Sequence, residues 1–288
     1  MTAVPVHRRK LLAPLAHLVT GDKLVAAALA LLALLIVAAV FAPLIAQHDP
    51  DAVDLSATLS GSTPEHPLGA DQSGRDVLSR LIYGARTGLL GPLMVVIVST
   101  ALGTLIGVTA AWYGGAVDSV LSRAMELVFS FPALLLAIIL VAVFGVGLTA
   151  PVIAMSLAYA PYVGRLARNV ALQEKARPYI QAYRVQGWSG WVICVKHLLP
   201  NIAPLILAQS AINFGYALMD LAALSFLGFG VQPPTADWGA MINEGSTSLL
   251  QGAMLPSLAP GVAIVVTVVA FSLVGESIAD RVARREQR

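Results

Sequence analysis

Residues 89–112 read LLGPLMVVIVSTALGTLIGVTAAW and contain no charged side chain. An α-helix needs about 20 mainly apolar residues to cross the hydrocarbon core of a bilayer, which is ~30 Å thick. The stretch is long enough and apolar enough to meet that requirement. It therefore predicts a transmembrane helix, and the segments on either side of it show whether the chain crosses the bilayer more than once.

Other apolar stretches of similar length occur along the chain. The weakest lies at 148–163, because it is short and contains Pro161. Prolines are tolerated in membrane helices where neighbouring helices satisfy the freed carbonyl groups. We therefore predict an all-α, polytopic membrane protein with six transmembrane helices. The five stretches that accompany 89–112 are residues 24–46, 127–146, 148–163, 202–226 and 255–274.

The composition agrees with a chain whose surface is largely covered by lipid. Hydrophobic residues make up 57% and charged residues 12% of the sequence, with a mean hydropathy of +0.79. Soluble domains carry about a quarter charged residues. A net charge of +2 and scattered basic residues argue against a nucleic-acid partner. The five histidines are dispersed and the one cysteine is Cys194, so we predict no metal site.

The distribution of lysine and arginine predicts the orientation. Residues 165–200 carry six basic residues and one acid, whereas residues 228–254 contain no lysine or arginine. Basic residues concentrate on the cytoplasmic side, so both termini and 165–200 are expected there, which requires an even number of crossings. The predicted divisions are a cytoplasmic arm at 1–23, a first transmembrane helix at 24–46, an external loop at 47–88, a five-helix core at 89–276 with a cytoplasmic loop at about 174–201, and a cytoplasmic tail at 277–288.

The external loop is expected to contain an amphipathic helix lying at the membrane interface. Asp71 or Ser73 would cap it, and Val77 and its neighbours would form its apolar face. Arg75 and Arg80 fall off that face. Such a helix explains why arginines are tolerated outside the membrane in this loop.

Residues 178–201 predict a cytoplasmic helix–turn–helix. Pro178 suits the first turn of a helix, Gly187 suits the left-handed position that follows a helix, and Ser189 suits the cap of the next one. Such a hairpin either lies on the membrane surface or docks a cytoplasmic partner. The apolar face of its second helix would consist of Trp188, Trp191, Val192, Val195, Leu198 and Leu199.

The spacing of Gln181-Ala182-Tyr183, Gly187 and Leu199-Pro200 resembles the EAA…G…LP coupling loop of ABC-importer permeases. The resemblance implies that the loop enters a cleft on an ATPase subunit. Gln181 stands where glutamate is usual and Tyr183 where a second alanine is usual. The residues expected to make the contact are Gln181, Ala182, Tyr183, Arg184, Gly187, Trp188, Leu199 and Pro200.

Two longer motifs narrow the resemblance. Residues 66–86 read HPLGADQSGRDVLSRLIYGAR and residues 224–239 read LSFLGFGVQPPTADWG. Both are similar to signatures of the C-type permease subunit of dipeptide, oligopeptide and nickel importers. The resemblance implies a type I ABC importer permease fold in the cell membrane, with no cofactor in this chain. It also implies a second homologous permease, one or two ATPase subunits that bind ATP and Mg²⁺, and an external solute-binding protein.

Sequence alone leaves the solute and the pathway open. Peptides are favoured by the resemblance, with nickel or another small solute as the alternative. Asp220 lies inside the fifth predicted crossing and either lines the pathway or makes a buried hydrogen bond to a neighbouring helix. An ion-coupled secondary transporter would need inverted repeats and several midplane ionisable groups, and we find one acid and no obvious repeat. The chain has no G-x-x-x-x-G-K-[ST] loop, so any ATPase must be another polypeptide.

The predicted topology can be checked by cysteine labelling in a Cys194→Ser background. A cysteine at Thr235 should react with an impermeant reagent in intact cells, because residues 228–254 are predicted outside. A cysteine at Ser189 should react only after permeabilisation. Labelling of both positions from the same side would contradict the six-crossing topology.

Overall fold

The computed structural model describes residues 23–286, which form helices joined by short turns and one longer segment before the second long helix. The helices are α1 (Lys23–Val40), α2 (Ala42–Ile45), a 3₁₀ turn (Leu55–Ala57), α3 (Val77–Tyr113), α4 (Gly115–Phe129), α5 (Ala133–Phe144), α6 (Thr149–Lys175), α7 (Pro178–Val185), α8 (Gly190–Ile193), a π-helical turn (Cys194–Leu198), α9 (Leu199–Phe226), α10 (Trp238–Leu249) and α11 (Leu255–Glu286). No strand occurs between residues 23 and 286. The all-α class is confirmed, and the predicted arm at 1–23 lies almost entirely outside the described residues.

Several of these helices can cross a membrane by length and hydropathy. Within the described part of the chain, four segments qualify on their own, namely α1, α3, the continuous run Gly190–Phe226 and α11 as far as Val282. The α4–α5 pair qualifies as one span bent by 81°. The predicted third crossing, 127–146, straddles this bend, which lies where Pro132 precedes α5. The predicted fourth crossing lies within α6, and the count of six stays a prediction.

Helix α3 differs from expectation at its beginning. The separate interfacial helix predicted in the external loop is instead the first part of α3, which runs from Val77 to Tyr113. Asp76 caps it by accepting a hydrogen bond of 2.7 Å from the backbone N–H of Ser79, so neither Asp71 nor Ser73 is the cap. The predicted boundary between residues 88 and 89 therefore falls inside a helix.

The α3–α6 pair forms the most extensive helix contact of the fold. A Cβ atom at Gly103 would lie 2.5 Å from the carbonyl oxygen of Ala160. One at Gly107 would overlap the carbonyl oxygen of Gly164 in the same way. Small residues let membrane helices pack backbone to backbone, where van der Waals contact substitutes for the missing hydrophobic effect. The glycines of α3 thus determine how closely α6 approaches.

An ionic cluster ties the segment before α3 to α10. The Arg80 side chain is 1% exposed and donates to a carboxylate oxygen of Glu244 at 3.0 Å. Arg75 donates to Asp71 and to the same Glu244 oxygen, both at 2.7 Å. Both arginines are buried, and their shared partner stands more than 160 residues away in sequence. The cluster fixes α10 against the beginning of α3.

Glu244→Gln should destabilise the protein, because it removes the carboxylate charge that pairs with both Arg75 and Arg80. Hydrogen bonds to charged groups contribute about 1.5–3 kcal/mol each, so thermal unfolding of the detergent-purified protein should begin several degrees lower. Glu65→Gln is the control, since Glu65 is exposed in the segment before α3. Equal unfolding temperatures for the two variants would contradict a stabilising role for the cluster.

Candidate functional site

The loop at 174–201, which is predicted to be cytoplasmic, forms a well-defined helix–turn–helix. Pro178 occupies the first turn of α7, as predicted. After α7 the backbone N–H of Trp188 donates to the carbonyl of Tyr183 at 3.1 Å, and the N–H of Gly187 donates to the carbonyl of Arg184 at 3.0 Å. These two bonds make a Schellman motif. The left-handed conformation predicted for Gly187 is confirmed, with φ at +78°.

The second half of the loop departs from the predicted pattern. Ser189 caps α8 by accepting a bond of 3.4 Å from the N–H of Val192, as expected. The predicted apolar face, however, is mostly exposed, and Trp191 is 73% exposed. The buried pair is Ile193 and Leu198, which are five residues apart. A face that lies on the membrane or on a partner is exposed in the chain alone. The departure from prediction is the π-helical turn at Cys194–Leu198, which interrupts the regular α-helix.

A buried carboxylate closes the base of the loop. Glu174, at the end of α6, is 5% exposed and accepts hydrogen bonds from the Tyr179 hydroxyl and from the Asn201 side-chain amide, the latter at 3.0 Å. Its other oxygen pairs with Arg177 at 2.7 Å. Burial, with the bond to Glu174, raises the pKa of Tyr179 to about 12. Because Tyr179 lies in α7 and Asn201 in α9, one side chain joins the beginning and the end of the loop.

The loop is also fixed to the end of α3. Lys175 donates to the carbonyl oxygens of Ala111 and Trp112 at 2.8 and 2.7 Å. These are among the last carbonyls of α3, where a cation is favoured by the helix dipole. The Arg184 guanidinium lies 4.6 Å from the centre of the Trp112 ring. The backbone of Gly190 packs against the same ring, since a Cβ there would meet it at 2.8 Å.

Tyr183, which departs from the resembled motif, belongs to an aromatic cluster. Its ring stacks on that of His197 with the centroids 4.1 Å apart, and the Trp188 ring lies 5.3 Å from Tyr183. A second alanine at this position could not make these contacts. Sequence reasoning missed the cluster because Tyr183 and His197 lie on different helical turns of an irregular segment.

Most of the predicted contact residues are exposed. Tyr183 is half-buried, whereas Leu199 and Pro200 lie apart from the turn, at the beginning of α9. The neighbouring Val185 is 90% exposed, although no motif singled it out. The predicted residues exposed on α7 and its turn are Gln181, Ala182, Arg184, Gly187 and Trp188.

Asp220 lies in α9, outside the loop at 174–201. It accepts a hydrogen bond of 2.8 Å from the hydroxyl of Tyr159 in α6. The hydrogen bond to a neighbouring helix, one of the two expectations for this acid, is therefore present. A role in the pathway stays a prediction. Between residues 23 and 286 no group of three or more His, Cys, Asp or Glu side chains could hold a metal ion.

The Glu174 contacts predict that Glu174→Leu loosens the loop. The substitution removes the acceptor for Tyr179 and Asn201 and leaves Arg177 without its carboxylate. In inside-out vesicles, trypsin should then cleave at Arg184 several-fold faster than in the wild type. Gln173→Leu, at the exposed neighbouring position, should cleave at the wild-type rate. Unchanged cleavage in Glu174→Leu would mean that the clamp does not hold the loop.

Two family models match the chain. The model of the binding-protein-dependent transport system inner membrane component covers residues 103–288. The model of the N-terminal transmembrane domain of oligopeptide transport permease C covers residues 21–64. The first family model includes the whole loop at 174–201 and both α6 and α9. The second covers the first predicted transmembrane helix.

Characterised relatives are similar over nearly their full length. A dipeptide transport system permease of Alkalihalophilus pseudofirmus is 34% identical over 259 residues, which are 90% of this chain and 85% of the relative. A glutathione transport system permease of Pectobacterium atrosepticum is 35% identical over 260 residues, covering 89% and 85% of the two chains.

Solved structures show the same fold. A chain of the MetNI methionine ABC transporter in an inward-facing conformation matches 71% of this chain and 97% of its own length, with a TM-score of 0.57 and 19% identity. A chain of an amino acid ABC transporter solved with histidines matches with a TM-score of 0.53. Permeases of this family are multi-pass inner-membrane subunits without catalytic activity, and a separate subunit hydrolyses ATP. The chain belongs to the binding-protein-dependent inner membrane components, as a C-type permease subunit of an ABC importer.

Proposed function

We propose that the loop at 174–201 is the element through which the ATPase subunit drives this permease. Both termini and this loop then lie in the cytoplasm. The chain pairs with a second, homologous permease, and each supplies half of the translocation pathway. The observation that carries the proposal is the fixation of α7, an eight-residue helix whose outer face is exposed in the described chain.

The outer face of α7 has a definite chemistry. Gln181, Ala182 and Val185 are exposed and uncharged. From Lys175 to Met219 the sequence contains no aspartate or glutamate. The surface offered to the ATPase is therefore neutral to basic, with an apolar tip at Val185. An ATPase cleft with an apolar floor and an acidic rim would complement it.

Peptides are the solute class that we propose for the importer. The relatives named above transport dipeptides and glutathione, which share peptide bonds. A binding protein outside the membrane would deliver the peptide to the two permeases. Nickel or another small solute is the alternative, since a separate binding protein would make the first capture and this chain would need no metal site of its own.

The contacts of the loop suggest how ATP binding becomes transport. Closure of the ATPase subunits would move α7, and Glu174 would pass that movement to the end of α6 and, through Asn201, to the beginning of α9. Lys175 would pass it to the end of α3. The membrane helices would then exchange between outward-open and inward-open arrangements, and ATP would bias the two states because it binds them unequally.

Gly187→Val tests the coupling role. Nothing lies within 4 Å of a Cβ at this position, so the substitution introduces no clash inside the chain. It imposes the left-handed conformation on a β-branched residue, which costs about 1 kcal/mol or more. We expect the variant to insert normally but to lose co-purifying ATPase, or to lose ATP hydrolysis stimulated by a dipeptide with its binding protein. Ser189→Val, which removes only the cap of α8, should have a milder effect.

The measurement compares the three proteins at equal membrane levels. Full ATPase binding and full stimulation in Gly187→Val would contradict the coupling role and leave the loop as a surface hairpin. Stimulation by nickel instead of the dipeptide in the wild-type complex would preserve the coupling role but contradict the peptide assignment.

A further inference from the structure

Four polar side chains lie on one face of α9, within the segment that crosses the membrane. They recur at spacings of four, three and four residues, which places them on a single stripe of an α-helix. The stripe extends over about 16 Å of helix at 1.5 Å per residue. Two tyrosines of α6 face these four side chains. We call the six side chains together the α6–α9 polar stripe. Its members are Gln209, Asn213, Tyr216 and Asp220 of α9 and Tyr159 and Tyr162 of α6.

Hydrogen bonds connect the two helices along the stripe. Tyr159 donates to one oxygen of Asp220 at 2.8 Å. The side-chain amide of Gln209 donates to Asn213 at 3.2 Å and to the Tyr162 hydroxyl at 3.4 Å. Polar side chains in a membrane helix are expensive unless they pair or face a polar cavity. These hydrogen bonds account for part of the stripe, because they join α6 to α9.

Two members of the stripe carry polar groups that these interhelical hydrogen bonds leave unpaired. Asn213 is 1% exposed, and within the described chain its amide nitrogen has no hydrogen-bond acceptor. No lysine, arginine or histidine side chain of residues 23–286 pairs with Asp220, and only one of its two carboxylate oxygens takes part in a hydrogen bond. A buried amide donor left unpaired costs about 1–3 kcal/mol. A network that served only to join helices would not leave these groups unpaired.

The outer members of the stripe are accessible. Tyr216 is 57% exposed and Tyr162 is 46% exposed, on the side of the α6–α9 pair that the rest of the chain does not cover. Phenol rings with free edges, two side-chain amides and one carboxylate form a surface that suits a polar solute better than hydrocarbon. The stripe thus combines an exposed polar wall with unmet hydrogen-bonding groups behind it.

We propose that the α6–α9 polar stripe lines the translocation pathway and binds the peptide by its main chain, with Asp220 receiving the peptide's α-ammonium group. This inference rests on the proposed importer function and names the groups that contact the solute. The amides of Gln209 and Asn213 carry donors and acceptors that match peptide N–H and C=O groups. Asn213 becomes available when α6 and α9 separate. Tyr159 holds the Asp220 carboxylate in position and leaves its second oxygen for the ammonium group.

This chemistry recognises features that all peptides share. The ammonium group and the backbone amides do not depend on the side chains, so peptides of different sequence can use the same groups. Blocking the α-amino group removes the positive charge that Asp220 would bind. The stripe therefore predicts a preference for peptides with a free amino terminus, set within the permease itself.

Two cysteine variants of equal exposure test whether the stripe faces water. Tyr216 and Leu207 are both 57% exposed, and both lie on α9, on opposite sides of the helix. Each is replaced by cysteine in a Cys194→Ser background, and the complex with its second permease and ATPase subunits is placed in lipid nanodiscs. We expect Tyr216→Cys to react with the charged reagents trimethylammonium-ethyl and sulfonatoethyl methanethiosulfonate. Leu207→Cys should react at least tenfold more slowly with both.

The ratio of the rates at which Tyr216→Cys reacts with the cationic and the anionic reagent tests the role of Asp220. A carboxylate four residues from Tyr216 should favour the cationic reagent, so Asp220→Asn should lower the cation-to-anion rate ratio several-fold at low ionic strength. Any change in the reactivity of the thiol affects both rates and cancels in the ratio. A dipeptide delivered by its binding protein should protect Tyr216→Cys, whereas the N-acetylated dipeptide should protect less, and Asp220→Asn should abolish that difference.

Each result supports or overturns a stated part of the proposal. No reaction at Tyr216→Cys, or equal reaction at Leu207→Cys, would overturn the stripe as a pathway wall. An unchanged rate ratio in Asp220→Asn, or equal protection by the two peptides, would overturn recognition of the ammonium group. Co-purification of the ATPase with proteins that retain Asp220 reports on the coupling loop separately, so the two proposals can fail independently.

Discussion

A lipid bilayer offers no water to a polar group, and the structure meets this constraint by placing its charged clusters beyond the apolar parts of its helices. Backbone groups are satisfied inside the helices themselves. At the beginning of α3, Arg80 is enclosed with Glu244. At the end of α6, Glu174 is enclosed with Arg177, Tyr179 and Asn201. Between these clusters α3 packs on α6 through its glycines, so the charges fix the ends of helices whose middles pack closely together.

The two clusters have different consequences for motion. The Arg80 cluster joins residues far apart in sequence, because Arg80 donates to Glu244 of α10 and to the carbonyl oxygens of Pro50 and Pro234. The Glu174 cluster joins the ends of a loop and depends on a single carboxylate. An importer that alternates between two arrangements needs a rigid part and a part that transmits movement. The cluster around Glu174 lies where a movement of α7 would first reach the membrane helices.

The sequence correctly predicted those local conformations that depend on a few neighbouring residues. Pro178, Gly187 and Ser189 each impose a local conformation, and each occupies the predicted position. The π-helical turn at Cys194–Leu198 was not predicted, because no local residue pattern indicates it. The burial of Arg75 and Arg80 was missed because it depends on Glu244, a partner supplied by tertiary structure. The interfacial helix merged into α3 because no residue before Pro92 interrupts the helix.

The position of Glu174 gives the loop and the polar stripe a common mechanical basis. Glu174 belongs to α6, which carries Tyr159 and Tyr162, and it bonds to Asn201 of α9, which carries Gln209 and Asp220. The same two helices therefore meet at the clamp beside the loop and again along the stripe. A change of angle at the clamp must alter the separation of α6 and α9 farther along, because helices transmit rotation over their length. Force applied to α7 would thus open or close the face on which Asn213 is buried.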